Sequence, residues 1–288
     1  MIKIESNAKI NLGLQVLNKR IDGFHNINTI FSRISLCDEI IFEENETIII
    51  DIISDDNENK SNEILKIPLE QNLIYKAATK LQQRTKTNKG VKITLKKSIP
   101  MGGGLGGGSS NAAATLFALT KLWDIVPSTK DILIIAQTLG SDVPYFLQEG
   151  MAVAGSRGEK LNYFKIKLPY QILIVNPNIH ISTPWAYSEL NRDEKLIKAV
   201  NYKNIIFRAL DNTSLFKEYI KNDFEKIVFN KYPAIKEIKR DLYKLGADFA
   251  LMSGSGSTVF ALFNSPEKIN LAKKEFDHYQ THICDFIL

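Results

Sequence analysis

Apolar and polar positions change rhythm several times along the chain. In Val91–Lys97 (VKITLKK) they alternate, which predicts a half-exposed strand. Ile40–Phe42 and Thr47–Ile53 are short β-branched runs, so the first hundred residues read largely as β. Within Asn72–Lys86, Leu73, Ile74, Ala77, Ala78 and Leu81 recur at helical spacing and predict one buried face. Asn111–Leu122 (NAAATLFALTKL), rich in Ala and Leu, predicts a second helix. A third starts near Ser128, where Ser128-Thr-Lys-Asp131 has the form of a capping box with Asp in place of Glu. Ser54–Glu63 is polar and charged and predicts a solvated loop.

The second half has another rhythm. Ile172–Val175 predicts an apolar strand, and Thr183-Pro184 predicts an N-cap followed by Pro at the first helical position. Ile235, Ile238, Leu242 and Leu245 place a helix over Pro233–Leu245, with Gly246 at its C-terminal stop. Phe249–Met252 and Thr258–Phe263 predict strands around a Gly/Ser loop, Ser253–Ser257. Ser265-Pro266-Glu267 opens another helix, and Cys284–Leu288 predicts a last strand. Strands and helices mix without strict βαβ repetition. The expected class is α+β with two domains, 1–158 and 159–288, and a boundary near Gly155–Leu161.

Composition narrows this little. The chain has 288 residues, 44% of them hydrophobic, enough for two buried cores. A net charge of +5 suits anionic ligands, but the Lys residues are scattered, and a nucleic-acid binder more often clusters them. Cys37 and Cys284 fit neither a metal nor a disulfide spacing. The N-terminus has no apolar leader, and no long apolar run occurs. The expectation is a cytoplasmic protein with no membrane and no nucleic-acid partner. His278 and His282, four apart with Cys284 nearby, read as an exposed helix end rather than a metal site.

Six glycines lie within positions 102–108, between a strand and a helix. Glycine brings no side chain to a core and costs backbone entropy. The run is therefore expected to offer exposed N–H groups and close approach. Ser109 and Ser110 then lead into a helix N-terminus, which favours an anion. The sum is a phosphate nest. It is not a Walker A loop, since no GxxxxGK[ST] is present. Gly102, Gly104 and Gly107 match a dinucleotide fingerprint, but the preceding strand alternates, where a buried parallel strand is apolar throughout. No GxSxG elbow occurs at either loop.

Pro100-Met-Gly-Gly-Gly-Leu-Gly-Gly-Gly-Ser-Ser-Asn-Ala-Ala113 resembles the ATP-binding motif of the GHMP kinases, which include galactokinase, homoserine kinase and mevalonate kinase. Ala8–Leu12, Arg20–His25, Leu139–Leu147 and Ser253–Thr258 resemble further segments of that family, in the family's order. The resemblance implies a ribosomal protein S5 domain 2-like N-terminal domain and a ferredoxin-like C-terminal domain. It implies ATP as co-substrate with Mg²⁺, and phosphorylation of the 2-hydroxyl of CDP-methylerythritol in isoprenoid precursor synthesis. Another GHMP kinase, of mevalonate or homoserine type, is the alternative, and a nucleic-acid-binding module a distant one. A monomer or a homodimer is expected.

Residue roles follow the same resemblance. Pro100, Met101, Gly102, Gly103, Gly104, Leu105, Gly106, Gly107, Gly108, Ser109 and Ser110 match the ATP loop, and Asn72 and Lys97 match adenine-side positions. Asp142 reads equally as a turn residue from its neighbours alone; the resemblance makes it the base that takes the hydroxyl proton. Lys9 reads as a surface lysine, and by resemblance as a catalytic cation beside that base. Asn11, Phe24, His25, Thr183 and Tyr187 match substrate contacts, Phe24 by stacking and His25 by hydrogen bonding to cytidine. The family's aromatic at position 24 is usually Tyr.

Overall fold

The computed structural model describes residues 1–53, 68–190, 192, 197–210 and 212–288. The polar tract expected as a loop at Ser54–Glu63 lies outside the described residues. The chain forms two compact units, each assembled from separate stretches. One comprises Met1–Ala8, Leu36–Ile99 and Gly106–Gln148; the other comprises Lys9–Ser35, Pro100–Leu105 and Glu149–Leu288.

Two long strands run through both stretches: β1 (Ile2–Lys19) and β2 (His25–Asn45), which pair with each other. Their length escapes the sequence pattern because polar residues such as Ser6, Asn11, Thr29 and Ser32 point into buried surroundings. In the first unit, the second half of β2 pairs antiparallel with β4 (Gly90–Lys96). β4 pairs parallel with β3 (Ile48–Ile53). Helices α1 (Leu73–Thr85), α2 (Gly107–Leu122) and α3 (Thr129–Leu139) pack on one another, and α1 also packs on β3. Ile40, Phe42, Leu81, Ile93, Leu116 and Trp123 form their shared core. Ser128 caps α3 by accepting from Asp131 N–H, as its sequence predicts. The helix expected from Asn111 starts four residues earlier, at Gly107. Its first turn is Gly-Gly-Ser-Ser, poor helix formers by propensity, so the pattern hides it.

In the second unit, the first half of β2 pairs with β5 (Met151–Gly155), and β5 with β6 (Lys160–Phe164). A separate four-stranded sheet contains β7 (Gln171–Asn176), β8 (Phe249–Met252), β9 (Val259–Phe263) and β10 (Gln280–Cys284). Its order is β10-β7-β9-β8, with every neighbour antiparallel. Numbered from β7, that is 4-1-3-2, the ferredoxin-like order. Helices α4 (Thr183–Glu189), α5 (Tyr202–Ala209), α6 (Ser214–Tyr219), α7 (Glu225–Lys231) and α8 (Pro233–Lys244) lie between β7 and β8 in sequence. Helix α9 (Pro266–Glu275) lies between β9 and β10. α8 packs on β8 and β9, and α9 on β7, β9 and β10. Leu173, Val175, Ile238, Leu242, Ala261 and Ile269 form part of the core between helices and sheet.

Three local expectations change. Ser182, not Thr183, caps α4, accepting from Trp185 N–H; Thr183 is already helical, which frees its hydroxyl for another bond. The last strand is split: β10 ends at Cys284, and β11 is Phe286–Ile287, paired with β2. Asp285 between them exchanges bonds with Ser35, which turns the chain from one sheet to the other. His282 sits in β10 opposite Ile174 rather than at a helix end.

Candidate active site

The glycine run divides between the two units, and its halves differ. Gly102 and Gly104 adopt positive φ, +64° and +76°, as does Gly106 at the head of α2. Not every glycine is there to expose backbone. A Cβ on Gly104 would lie 2.2 Å from Ser253 O, and one on Gly103 would lie 2.6 Å from Thr258 Oγ1. Gly107 is tight to a lesser degree: a Cβ there would lie 3.0 Å from Ile99 Cγ2 and 3.3 Å from Lys97 Nζ. These three are glycine because neighbours fill the space. Gly108 is exposed, and its Cβ would meet only Leu73 Cδ1, at an ordinary 3.5 Å. There the sequence expectation, glycine for an open backbone, holds.

In the first unit, Asn72 accepts from Ile74 N–H and caps α1. Lys97, at the end of β4, gives its ammonium to both oxygens of Asp38, at 3.1 and 2.8 Å, and to Ile99 O. Burial pushes the Lys97 pKa down while the Asp38 carboxylate pulls it up. Asp38 is fully buried and also accepts from Ser98 N–H, Ile99 N–H and Asn111 Nδ2. Nothing in the sequence singles it out: it is one acid in a β-rich stretch. On the helix itself, Ser110 accepts from Ser6 at 2.7 Å, and Ser109 faces the space beside Gly140. Asp142 stands half-buried at the start of a 3-10 turn, Val143–Leu147, that packs on α2. It lies in a turn, as its neighbours predict, and its side chain makes no cap bond to the 3-10 turn that follows.

In the second unit, Lys9 is not a surface lysine. It is 4% exposed, between Ala8 and Ile10 on β1, and lies over the Phe31 ring. Burying an ammonium needs acceptors. Lys9 Nζ donates to Asn11 Oδ1 at 2.7 Å and to Gly104 O at 3.3 Å. Asn11 in turn donates to Thr29 Oγ1. Ser253 accepts from Asn11 N–H and donates to the same Gly104 carbonyl at 2.9 Å. Lys9 and Ser253 of the second Gly/Ser loop therefore meet at one carbonyl of the glycine loop, and Asn11 is bonded to both. Buried Asn222 fixes that second loop by donating to Met252 O and Gly254 O.

The remaining predicted residues cluster around the β1–β2 turn and α4. Asp22 accepts from Arg20 and from Phe24 N–H, which folds the turn; the Arg20 guanidinium holds the Asp22 carboxyl below its ordinary range. Arg20 also reaches Asn26 and Ser156. Phe24 is 53% exposed, with the Arg157 guanidinium 4.8 Å from its ring centre. His25 stacks on Tyr187, with centroids 5.3 Å apart and planes 21° apart, and Tyr187 rests edge-on against Phe224. Burial, then repulsion from Lys19 and Arg192, pushes the His25 pKa down, so the ring is neutral at neutral pH. Thr183 shares a 2.9 Å hydrogen bond with Ser255. His180, which the sequence did not flag, places Nδ1 against Gly102.

A glycine loop leading into a helix N-terminus favours an anion, and phosphate-handling proteins of several classes use one. Comparison with known proteins specifies which. Residues 72–150 match the family model "GHMP kinases N terminal domain", and residues 206–280 match "GHMP kinases C terminal". The chain belongs to the GHMP kinases. It is 40% identical over 294 residues to the 4-diphosphocytidyl-2-C-methyl-D-erythritol kinase of Thermodesulfovibrio yellowstonii, covering 100% of this chain and 99% of that one. It is 42% identical over 260 residues to the kinase of the same name from Chlorobium chlorochromatii, covering 89% and 86%. A crystal structure of 4-(cytidine 5'-diphospho)-2C-methyl-D-erythritol kinase superposes with a TM-score of 0.80, 30% identity and full coverage of both chains. A homoserine kinase from Cytophaga hutchinsonii, 20% identical with a TM-score of 0.68, shares the fold.

Proposed function

We propose that this chain transfers the γ-phosphoryl group of ATP to the 2-hydroxyl of CDP-methylerythritol. Full-length identity of about 40% to kinases of that name supports the substrate. The observation that carries it is the His25 ring stacked on Tyr187 beside exposed Phe24, a set suited to a planar, hydrogen-bonding base. A mevalonate or homoserine acceptor has no ring to place there.

In this reading Pro100–Ser110 holds the ATP phosphates, with Asn72 and Lys97 on the adenine side. Lys97 acts in part through Asp38, which already takes its ammonium. Asp142 accepts the proton of the attacking hydroxyl. Lys9 supplies positive charge for the transferring group, and its bond to Gly104 O fixes the loop at the same time. Asn11, Phe24, His25, Thr183 and Tyr187 hold the cytidyl substrate. The hydroxyls of Ser109 and Ser110 and the carboxylate of Asp142 are hard oxygen donors that would suit Mg²⁺, which would supply neutralisation of phosphate charge. We assign residues 1–158 to the ATP-binding N-terminal domain, which also contributes Asn11, Phe24 and His25 to the substrate, and 159–288 to the substrate-side C-terminal domain, in a cytoplasmic monomer or homodimer with no nucleic-acid partner. Among the described residues, no helix is long and apolar enough to cross a membrane.

The test is ATP consumption with and without CDP-methylerythritol. Turnover is expected only with it, and substrate-independent or absent turnover overturns the reading. Asp142→Asn should lower kcat by about 10²–10⁴-fold with the fold intact by circular dichroism. Normal turnover in that variant removes Asp142 as the base.

A further inference from the structure

Asp38 has the most demanding surroundings in the first unit. Its carboxylate is 0% exposed and receives Lys97 Nζ, Ser98 N–H, Ile99 N–H and Asn111 Nδ2. The backbone and side-chain donors lie at 2.8–2.9 Å, ordinary for charge-assisted bonds. Those donors come from three places. Lys97 ends the ladder beside β4, Ser98 and Ile99 are the chain that leads into the glycine run, and Asn111 lies one turn into α2. The Lys97 ammonium also sits 3.3 Å from where a Gly107 Cβ would be, so the hub abuts the first residue of α2.

As stabilisation alone this is an inefficient arrangement. A buried ion pair often contributes no more than apolar residues of the same volume. What it does well is fix geometry, because each donor has one direction to satisfy. Its charge balance matters too. A bare carboxylate near the N-terminus of α2 would repel an anion there, whereas one matched by Lys97 leaves the helix dipole and free N–H groups to the anion.

We propose that Asp38 is a positioning residue for nucleotide binding: it sets the chain entering the glycine run and the first turns of α2 in one fixed relation, and it neutralises itself with Lys97 so that the phosphates are not repelled. The inference rests on the reading that Pro100–Ser110 binds ATP. Asp38 touches no substrate. Its effect therefore falls on ATP affinity and not on the alcohol substrate.

The experiment titrates Mg–ATP into the full-length protein without the alcohol substrate, then measures KM for each substrate separately. Asp38→Asn keeps the volume and one acceptor oxygen but removes the charge. It should weaken ATP binding about tenfold, with KM for the alcohol within about twofold and a cooperative thermal melt retained. Asn111→Ala leaves the ion pair and removes one arm, and should weaken ATP binding by about threefold. A folded Asp38→Asn that binds ATP like the wild type overturns the inference. So does an equal rise in both KM values, which marks general loosening. If Asp38→Asn fails to fold, Asn111→Ala decides by the same criterion. A wild-type chain that does not bind ATP removes the ATP reading and this inference together, whereas wild-type binding with unaltered variants removes the inference alone.

Discussion

Gly104 and Gly108 stand four residues apart in one run, and they are glycine for different reasons. Gly104 has φ +76° and a backbone carbonyl, Ser253 O, where its side chain would be. Gly108 is a helical residue with open space before it. The anchoring chemistry differs in step. The Pro100–Leu105 half is held by hydroxyls, amides and carbonyls, with Ser253 and Lys9 converging on Gly104 O. The chain on either side of the run in the first unit, Ser98–Ile99 and Asn111, is held by a buried carboxylate. A repeated residue type thus conceals positions crowded by neighbours, Gly103, Gly104 and Gly107, and an open one, Gly108.

The sharpest way to break this contrast is Asp38→Ala. It leaves Lys97 buried without its counter-charge and should cost about 3–5 kcal/mol in denaturant unfolding, where a loss below about 1 kcal/mol would place that anchor with the weak, neutral ones. Next is Gly104→Ala, in which strain and overlap with a backbone atom should cost about 1–3 kcal/mol. Ser253→Ala removes one donor from a carbonyl that Lys9 still serves, and should cost about 1 kcal/mol. Smallest in stability is Gly108→Ala, expected to be neutral or stabilising by up to about 1 kcal/mol, since Ala is the better helix former. On the reading that Pro100–Ser110 holds ATP, that same variant should raise KM for ATP, because its methyl would stand beside the phosphates. A Gly108→Ala protein that is destabilised but binds ATP normally would invert the comparison.

The legible parts of the fold were those with local rhythm or local chemistry. The α1 and α8 stripes, the Ser128 and Ser265 caps and strand β9 needed only neighbours in sequence. The long β1 and β2 were blurred because their buried positions include Asn11 and Thr29, polar residues that satisfy each other only after folding. The helices of the stretch 202–231 are short, six to eight residues, too brief for a periodic signal. In the site, the glycine run and the segments around Lys9, Phe24 and Asp142 were readable because each is contiguous. Asp38 was not, since its partners are 59 to 73 residues away and no spacing announces them. Lys9 shows the same limit from the other side. Its identity was visible, but its burial depends on Phe31, Asn11 and Gly104 arriving from elsewhere.

The loop Ser253–Thr258 has one more consequence. Two residues apart on it, Ser253 grips the glycine turn and Ser255 grips Thr183 at the head of α4. A ligand that orders either end spares the other part of its ordering cost. On the reading that the glycine run holds ATP and Thr183 the acceptor, thermodynamic reciprocity then requires that the two strengthen each other's binding by the same factor. A six-residue loop of small side chains would in this way make the order of substrate addition less important than their joint presence.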